Sequence, residues 1–211
     1  MFPLTEAQIR RYARHIVLPG VGGRGQRRLL RSRVLIIGAG GLGCPAALYL
    51  AAAGVGTIGI VDDDVVEESN LQRQILFRPE DIGRPKAEVA RERLQAFNPD
   101  VTVIPYVERF TAANARDRVA GYDLVIDGSD NFPTKYLASD VCVWEGKPLI
   151  WGAVFQYEGQ VGSLPPGGRP CFRCLLPSPP PPDQVPDCQQ AGVFGALDGV
   201  IGAMQAMEAL K

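Results

Sequence analysis

A short apolar run followed by a glycine-rich turn is the sequence feature that most constrains the fold. Residues 33–38 (RVLIIG) have the unbroken apolar character of a buried strand. The glycine-rich turn follows it, and residues 42–53 then show the small apolar residues of a buried helix. Glycines let a phosphate approach the backbone, and the N-terminus of a helix supplies N–H donors. The segment therefore predicts a nucleotide site, with a plain tight turn as the alternative. The glycines concerned are Gly38, Gly40, Gly41 and Gly43.

Strand and helix patterns alternate along the rest of the chain. Further strands are predicted at residues 57–61, 101–107, 123–126, 148–154 and 160–164. Helices are predicted at residues 84–97, 112–119, 131–144 and 193–211, and a long loop with some helical turns at 65–82. This alternation predicts an α/β fold that is Rossmann-like and doubly wound, with a mainly parallel sheet. A hairpin turn at 157–159 predicts an antiparallel extension toward the C-terminus.

Composition and charge restrict the class of protein. The chain has a net charge of −1, although residues 1–33 contain eight Arg against one acid, Glu6. Near neutrality argues against a protein that coats nucleic acid, so no nucleic-acid partner is expected. No secretory signal and no membrane partner are expected, because no apolar run reaches the length that a bilayer requires. Five Cys, an odd number, suit a reducing compartment and predict a cytoplasmic protein.

Polar and cationic residues follow the second predicted strand, where a nucleotide would lie. Asp62 comes 19 residues after Gly43, about where a ribose-binding acid belongs. Asn70, Arg73 and Lys86 come next, and such side chains can surround a triphosphate. A nicotinamide needs an apolar slot, so this charge argues against a dehydrogenase. A solvated loop and an exposed helix start remain the alternative for these three residues.

The motif Asp127-Gly-Ser-Asp130-Asn131 follows the fourth predicted strand. It lies at the edge of the sheet where ligands bind in folds of this kind. The Asp130 carboxylate is placed to hold Mg²⁺ against phosphates, because Mg²⁺ prefers hard oxygen ligands. Helix capping or turn formation is the alternative for Asp130 and Asn131.

Two cysteines spaced as C-x-x-C, Cys171 and Cys174, form half of a tetrahedral Zn²⁺ site. A pair of buried or redox thiols is the alternative. The helical pattern at the end of the chain reaches Lys211 without a stop signal, so the natural chain is expected to continue. Zinc is expected only if a second Cys pair lies beyond residue 211. The remaining cysteines have the wrong spacing to complete the site: Cys44, Cys142 and Cys188.

Six segments, taken in order, carry a resemblance that spans essentially the whole chain. They are RYARHIVLPGVGGRGQRRL, GAGGLG, VDDDVVEESNLQRQ, GRPKAEVA, DGSDN and CFRC. Together they resemble the ThiF/MoeB/HesA family of adenylyltransferases, which are related to the ubiquitin-activating enzymes. The run NLQRQ, with the Lys and Asp downstream, is far more specific than the glycine pattern.

The resemblance implies a role for each residue of the nucleotide site. Gly41 and its neighbours would bind the phosphates of ATP, and Asp62 would hold the ribose. Asn70 and Arg73 would address the triphosphate, and Lys86 the region of the α-phosphate. Asp130 would hold the magnesium. The remaining nucleotide contacts implied are Ser69, Leu71, Gln72 and Asn131.

The resemblance also implies a homodimer. Arg14 matches a family arginine that reaches the γ-phosphate of the other subunit as an arginine finger. Cys188 matches a cysteine that in some relatives forms a covalent link to the substrate protein and in others is dispensable. The residues expected to be catalytic are Arg14, Arg73, Asp130 and Cys188.

The activity implied is ATP- and Mg²⁺-dependent adenylation of a ubiquitin-like sulfur-carrier protein at its C-terminal Gly-Gly. Pyrophosphate would leave, and the product would serve thiamine, molybdopterin or tRNA thiolation, with sulfur supplied by a separate sulfurtransferase. A non-catalytic module that binds carrier and nucleotide, an NAD(P)-dependent oxidoreductase, and a relative acting on a peptide or tRNA are the alternatives.

The expected organisation has two parts. Residues 1–32 form a helical arm for dimer and trans active-site contacts. Residues 33–211 form the ATP-binding adenylation domain, with the C-x-x-C pair and a Pro-rich crossover loop at 171–190. The proline cluster at 178–186 predicts an exposed polyproline-like or disordered loop, or a mere spacer.

Overall fold

The computed structural model describes residues 3–180 and 192–211. The helices are α1 Glu6–Arg11, α2 Ala13–Ile16, α3 Gly22–Leu29, α4 Gly43–Ala53, α5 Lys86–Phe97, α6 Ala115–Ala120, α7 Phe132–Trp144, α8 Phe172–Leu175 and α9 Gly195–Leu210. The strands are β1 Arg33–Ile37, β2 Thr57–Val61, β3 Thr102–Tyr106, β4 Leu124–Asp127, β5 Leu149–Phe155 and β6 Glu158–Leu164. Short 3₁₀ turns at Glu68–Asn70 and Pro79–Asp81 lie within the predicted long loop.

The strands form one sheet in the order β3-β2-β1-β4-β5-β6. The pairs from β3 to β5 are parallel, and β6 runs antiparallel to β5. The chain winds outward from β1 to β3 on one side and from β4 to β6 on the other. The predicted doubly wound α/β fold with an antiparallel extension is therefore confirmed.

Helices cover both faces of the sheet, which explains why the central strands lack an alternating polar pattern. Val34 and Ile36 of β1 pack into a core cluster with residues of α4 and α5. Leu35 and Ile37 point the other way, into a cluster with residues of α6 and α7. Because both faces of β1 are buried, the strand must be apolar throughout.

Helix α9 packs along α4 and across β5 and β6. The close approach depends on Gly202, where a Cβ would overlap the Leu42 carbonyl oxygen. The buried amide of Gln205 donates from Nε2 to the carbonyl of Asp127 (2.7 Å) and that of Ile150 (3.3 Å). Since these carbonyls lie on β4 and β5, Gln205 fixes α9 against the strands whose ends border the cleft described below. Within residues 3–180 and 192–211, no helix is both long and apolar enough to cross a membrane.

The N-terminal helices dock on the domain through buried polar contacts. The Tyr12 hydroxyl donates to Asp100 Oδ2 (2.9 Å) and accepts from Asn98 Nδ2 (2.9 Å). Its ring lies against Gly54, the left-handed residue that ends α4. Gln26, also buried, donates from Nε2 to the carbonyl of Ala53 (2.9 Å). These contacts bring α1–α3 against the C-terminal end of α4.

The boundaries of the arm differ from the sequence pattern. A helix break is expected at residues 20–25, with a turn at 26–31, but α3 already begins at Gly22. The amide of Gly25 donates to the Val21 carbonyl (2.7 Å), so the turn closes through the glycines. The helical spacing of Ile9, Tyr12 and Ile16 predicts one helix from residue 5 onward, but Tyr12 ends α1 and precedes α2. Tertiary docking of Tyr12 and Gln26 overrides the poor helix propensity of glycine here.

We expect Tyr12→Phe to lower the free energy of unfolding by about 1–2 kcal/mol, because Asp100 and Asn98 lose the hydroxyl that joins them. Chemical denaturation would measure the change. The matched control is Tyr157→Phe, since Tyr157 is 78% exposed and should tolerate the loss of its hydroxyl. A similar effect in both variants would contradict this account of the docking.

Candidate nucleotide-binding site

A cleft of about 1360 Å³ opens at the carboxyl ends of the parallel strands. Its floor includes residues that follow β1 and β4, the two strands between which the chain changes direction. In open α/β sheets this switch point is the usual place for a ligand. Several predicted site residues line it: Gly38, Gly40, Gly41, Asp62, Asn70, Arg73, Lys86, Asp130 and Asn131.

The glycine-rich turn is folded tightly against the end of β4. Gly38 has φ +91°, a conformation that favours glycine, and a Cβ there would lie 3.0 Å from the Gly128 carbonyl oxygen. A Cβ on Gly43 would overlap the Gly38 carbonyl oxygen. The turn leads directly into α4, so its backbone faces the cleft at a helix N-terminus. This is the setting in which a phosphate is bound by backbone N–H groups and the helix dipole.

Asp62 connects the end of β2 to the glycine-rich turn. Its Oδ2 accepts from the Ala39 amide (2.7 Å) and its Oδ1 from the Asp64 amide (2.9 Å). Burial raises the pKa of the carboxyl, and the Ala39 amide and Lys86 oppose that rise. A carboxylate oxygen has two lone pairs, so Asp62 keeps acceptor capacity for a ribose hydroxyl.

Lys86 begins α5 on the wall of the cleft and is almost fully buried. Its Nζ pairs with Asp64 Oδ2 at 2.9 Å, and its amide donates to the Asp64 carbonyl (2.9 Å). The Asp64 side chain itself is exposed. The ammonium is therefore held in place by an exposed carboxylate, for which a phosphate oxygen could substitute.

Only some of the nucleotide contacts predicted in the segment after β2 line the cleft. Asn70 lines the cleft, but its Oδ1 accepts from the Glu67 amide (3.1 Å) and stabilises the 3₁₀ turn. Arg73 lines the cleft with its Nη1 donating to the Ser69 carbonyl (3.0 Å). Leu71 packs on the core and Gln72 is exposed. Three predicted contacts are thus not among the residues lining the cleft: Ser69, Leu71 and Gln72.

The segment after β4 divides its roles between structure and cleft. Asn131 caps α7, and its Oδ1 accepts from the Thr134 amide (3.0 Å). Helix capping is the alternative that the sequence left open for this residue. Asp130 keeps an exposed carboxylate at the cleft, which accepts from Asn131 Nδ2 at 3.3 Å. An exposed carboxylate beside a phosphate-type turn fits Mg²⁺, whose ligands are oxygens and water.

A buried ion pair lies beneath this segment, and the sequence pattern did not predict it. Asp127 accepts from Lys135 Nζ (3.0 Å) at Oδ2 and from the Ser129 hydroxyl (2.6 Å) at Oδ1. Lys135 Nζ also donates to the carbonyls of Ser129 (2.8 Å) and Gly152 (2.6 Å). The available signal was Lys135 as the one basic residue of α7.

A second acid missed by sequence reasoning is Asp198, in the first turn of α9. It lines the cleft and is buried, and its Oδ1 has no hydrogen-bond partner within the described part of the chain. Its Oδ2 lies 4.0 Å from Arg73 Nε. Burial raises the pKa of its carboxyl to about 6, and Arg73 opposes the rise. The available signal was an acid in the first turn of a helix that is otherwise mostly apolar.

Three further predicted residues, all described by the structure, are not among those lining the cleft: Arg14, Cys171 and Cys174. Arg14 is exposed on α2, so in a single chain it does not reach the site. Cys171 precedes α8 and Cys174 lies within it, with their sulfur atoms 3.5 Å apart. Hydrogen bonds from Cys171 lower the pKa of Cys174. Cys188 and most of the proline cluster at 178–186 lie outside the described residues.

The two thiols fit half of a zinc site. Thiolates bound to one tetrahedral zinc lie roughly 3.8 Å apart at normal bond lengths, close to the observed separation. Among residues 3–180 and 192–211, however, no three His, Cys, Asp or Glu side chains converge as metal ligands. Zinc is therefore not supported by the described residues alone.

Together, the glycine turn at the switch point and the acid after β2 define a protein of the Rossmann-like class with a cleft of the nucleotide-binding type. The model of the ThiF family matches residues 12–211, and the chain belongs to that family. The predicted family is thereby confirmed.

Curated relatives of the chain are activating enzymes and adenylyltransferases. The SAMP-activating enzyme E1 of Haloferax volcanii is 54% identical over 208 residues, covering 99% of this chain and 77% of that protein. The sulfur carrier protein adenylyltransferase of Thermus thermophilus is 53% identical over 212 residues, covering 98% of this chain and 78% of that protein. The adenylyltransferase and sulfurtransferase MOCS3 of Bos taurus is 50% identical over 208 residues, but the match covers only 46% of its length.

Solved structures show the same fold. The crystal structure of E. coli MccB with ATP has a TM-score of 0.81 at 26% identity, covering 95% of this chain and 62% of the MccB chain. PaaA has a TM-score of 0.82 at 25% identity, covering 100% of this chain and 67% of the PaaA chain. This chain thus spans about two thirds of the length of these structural neighbours.

Proposed function

We propose that the protein adenylates the C-terminal glycine carboxylate of a ubiquitin-like sulfur-carrier protein, consuming ATP and releasing pyrophosphate. The observation that carries the proposal is the convergence of one set of side chains on one cleft. A glycine-rich turn, a ribose-type acid and two cations line this cleft together. They are Gly41 of the turn, Asp62, Arg73 and Lys86. The names of the two most similar relatives described above support this substrate class.

The reaction needs charge neutralisation and in-line positioning more than proton transfer. A carboxylate oxygen of the carrier attacks the α-phosphorus, a new O–P bond forms, and the bond to the β-phosphate oxygen breaks. Pyrophosphate leaves with that electron pair. Lys86 would counter the charge at the α-phosphate and Arg73 that of the leaving pyrophosphate, as such cations do in other phosphoryl-transfer sites. When bound, Mg²⁺ at Asp130 would shield the phosphates.

The cleft also has room for a polypeptide tail. Beyond the glycine turn it continues along β5 and β6, where Trp151, Phe155 and Gln160 form part of its wall. A chain ending in Gly-Gly is thin enough to extend along such a passage without side-chain clashes. We propose the carrier of a thiamine, molybdopterin or tRNA thiolation system as the substrate, a separate sulfurtransferase as the sulfur source, and a cytoplasmic location. Cys188 is proposed as the thiol that links covalently to the carrier.

We expect ATP–pyrophosphate exchange that requires Mg²⁺ and a Gly-Gly-terminated carrier. Lys86→Gln and Asp130→Asn should each lower the exchange rate roughly 100-fold or more, because each removes charge compensation from the transferred phosphate. Asp117→Asn, on the exposed start of α6, is the matched control and should exchange normally.

Three outcomes would redirect the proposal. A folded protein that binds ATP without exchange would indicate a non-catalytic module. Binding of NADH in place of ATP would indicate an oxidoreductase. Exchange that does not depend on any carrier would indicate a different acceptor.

We propose further that Arg14 acts in the site of a second copy within a homodimer. Arg14→Ala should lower exchange by roughly 10³-fold, as removal of an arginine finger does elsewhere, while dimerisation persists in analytical ultracentrifugation. Mixing Arg14→Ala with Lys86→Gln under subunit exchange should restore about a quarter of wild-type activity, since half the dimers then carry one intact site. No recovery on mixing would place Arg14 in its own subunit's site or outside catalysis.

Zinc on Cys171 and Cys174 is proposed only where two further ligands complete the tetrahedron. A form of the protein that contains a second Cys pair should bind about one zinc per chain by elemental analysis. Cys171→Ser with Cys174→Ser should abolish that zinc, whereas Cys142→Ser, at a buried thiol on α7, should retain it. If the form with the second Cys pair, and with Cys171 and Cys174 intact, contained no zinc, the assignment would be refuted.

A further inference from the structure

We propose that Asp198 belongs to the nucleotide site as a positioning residue, which holds Arg73 beside the glycine-rich turn and takes up a proton when the triphosphate binds. The inference rests on the proposed function in one respect: it takes ATP as the ligand of the cleft. It adds a residue on α9, a helix that no part of the predicted site includes.

The N-terminus of α9 is packed directly on both phosphate-binding segments. A Cβ on Gly195 would overlap the Gln72 carbonyl oxygen and would lie 3.0 Å from Arg73 Cα. A Cβ on Gly41 would overlap the Asp198 carboxylate and would lie 3.2 Å from Asp198 Cβ. The carboxyl group therefore lies against the backbone of the turn that receives phosphates.

Arg73 has one hydrogen-bond acceptor and one opposite charge beside it. Its Nη1 donates to the Ser69 carbonyl at 3.0 Å, and its Nε lies in ion-pair contact, 4.0 Å from Asp198 Oδ2. A guanidinium is planar with five N–H donors, so the bond to Ser69 leaves further N–H groups to address a ligand. Arg73 lines the cleft and keeps 22% of its side chain exposed, which is consistent with a cation restrained on one side and open on the other.

The charge around Asp198 is incompletely compensated. Its side chain is 2% exposed and its Oδ1 has no hydrogen-bond partner among the described residues. A buried carboxylate so placed is costly unless a cation or a proton joins it. Triphosphate binding would draw Arg73 toward its own negative charge, which leaves a proton as the remaining means of neutralising Asp198.

The other titratable groups that face this part of the cleft are acids, a neutral thiol, or a lysine that is already paired. From α4, the buried Cys44 thiol faces Asp198, and burial raises its pKa to about 12. From β4 and α7, Asp127 and Lys135 form their own ion pair. From β6, Glu158 lines the same cleft, and from α5 Lys86 is paired with Asp64. Arg73 is thus the cation that balances Asp198 before ATP arrives.

The expected pH dependence follows from these charges. Burial places the pKa of Asp198 at about 6, so the carboxyl is mostly ionised at pH 7.5 in the free protein. Nearby phosphates raise that pKa further, because a negative charge disfavours a second one. Binding then takes up a proton between the two pKa values, and ATP affinity falls as the pH rises above 6.

Isothermal titration calorimetry of the full chain with Mg²⁺–ATP, in two buffers of different ionisation enthalpy, tests the proton uptake. The wild type should take up more protons than Asp198→Asn at pH 7, and its ATP affinity should fall about tenfold more between pH 6 and 8. The titration of ATP itself is common to both proteins and cancels in the comparison. Asp117→Asn should behave as the wild type, since it removes a carboxylate outside the cleft.

The positioning of Arg73 is tested by a double-mutant cycle in the exchange assay. At pH 8, Asp198→Asn should lower KM for ATP about tenfold with a smaller change in kcat, because the neutral amide does not have to take up a proton when ATP binds. In an Arg73→Gln background the same substitution should have no further effect, because it acts through Arg73. Asn matches Asp in size, and thermal unfolding of each variant establishes that it is folded.

The outcomes separate the two levels of the argument. A wild type that binds no ATP overturns the proposed function. A wild type that binds ATP with the same proton uptake, pH profile and KM as Asp198→Asn overturns the role of Asp198 alone. An effect of Asp198→Asn that persists in the Arg73→Gln background overturns the positioning of Arg73.

Discussion

The close approach of two strand ends is the constraint on which the site depends. Where β1 and β4 diverge, the backbone of Gly38 lies against that of Gly128, with no room for an ordinary side chain between them. The Gly128 amide donates to the Ile37 carbonyl (2.8 Å), so the turn after β4 is hydrogen-bonded to the end of β1. Because this contact folds both turns into one wall, the phosphate-type turn and the Asp130 segment face the same cleft. A Cβ at Gly38 would press on the Gly128 carbonyl oxygen, and one at Gly128 would press on the backbone of Gly43.

The cations of the cleft are restrained before any ligand arrives. Lys86 rests on Asp64, and Arg73 rests on Ser69 and Asp198. Preorganised charge is effective in catalysis because little reorganisation is needed when the ligand's charge develops. A ligand phosphate can replace either carboxylate as the partner of its cation. Asp64 is exposed, and Asp198 lacks a partner at one oxygen in the described structure.

The extent to which sequence predicts this structure follows from where the determining contacts lie. Strands, helices and the glycine turn depend on local apolar runs and glycines, so residues 33–61 reveal the first βαβ unit and the switch-point site. The roles of Asp198 and Lys135 were not predicted, because they depend on packing between segments far apart in the chain. Leu71 and Gln72 were expected at the nucleotide through resemblance, yet the 3₁₀ turn directs one to the core and the other to solvent. The arm helix α3 was misjudged because docking of Gln26 outweighs glycine propensity.

Two buried carboxylates show how the number of hydrogen-bond partners distinguishes a structural acid from a functional one. Asp127 has both oxygens occupied, and its partner Lys135 donates to two carbonyls besides, so the pair is complete and joins β4, α7 and β5. Asp198 is equally removed from solvent but meets one arginine at 4.0 Å and leaves an oxygen without a partner in the described residues. The first arrangement stabilises the fold and has nothing left to offer a ligand. The second lowers the free energy of unfolding as the pH rises from about 4 to about 6, because in that range the unfolded chain releases a proton that the folded state still holds. That cost arises at the edge of the glycine-rich turn, where the proton taken up with a bound anion would remove it.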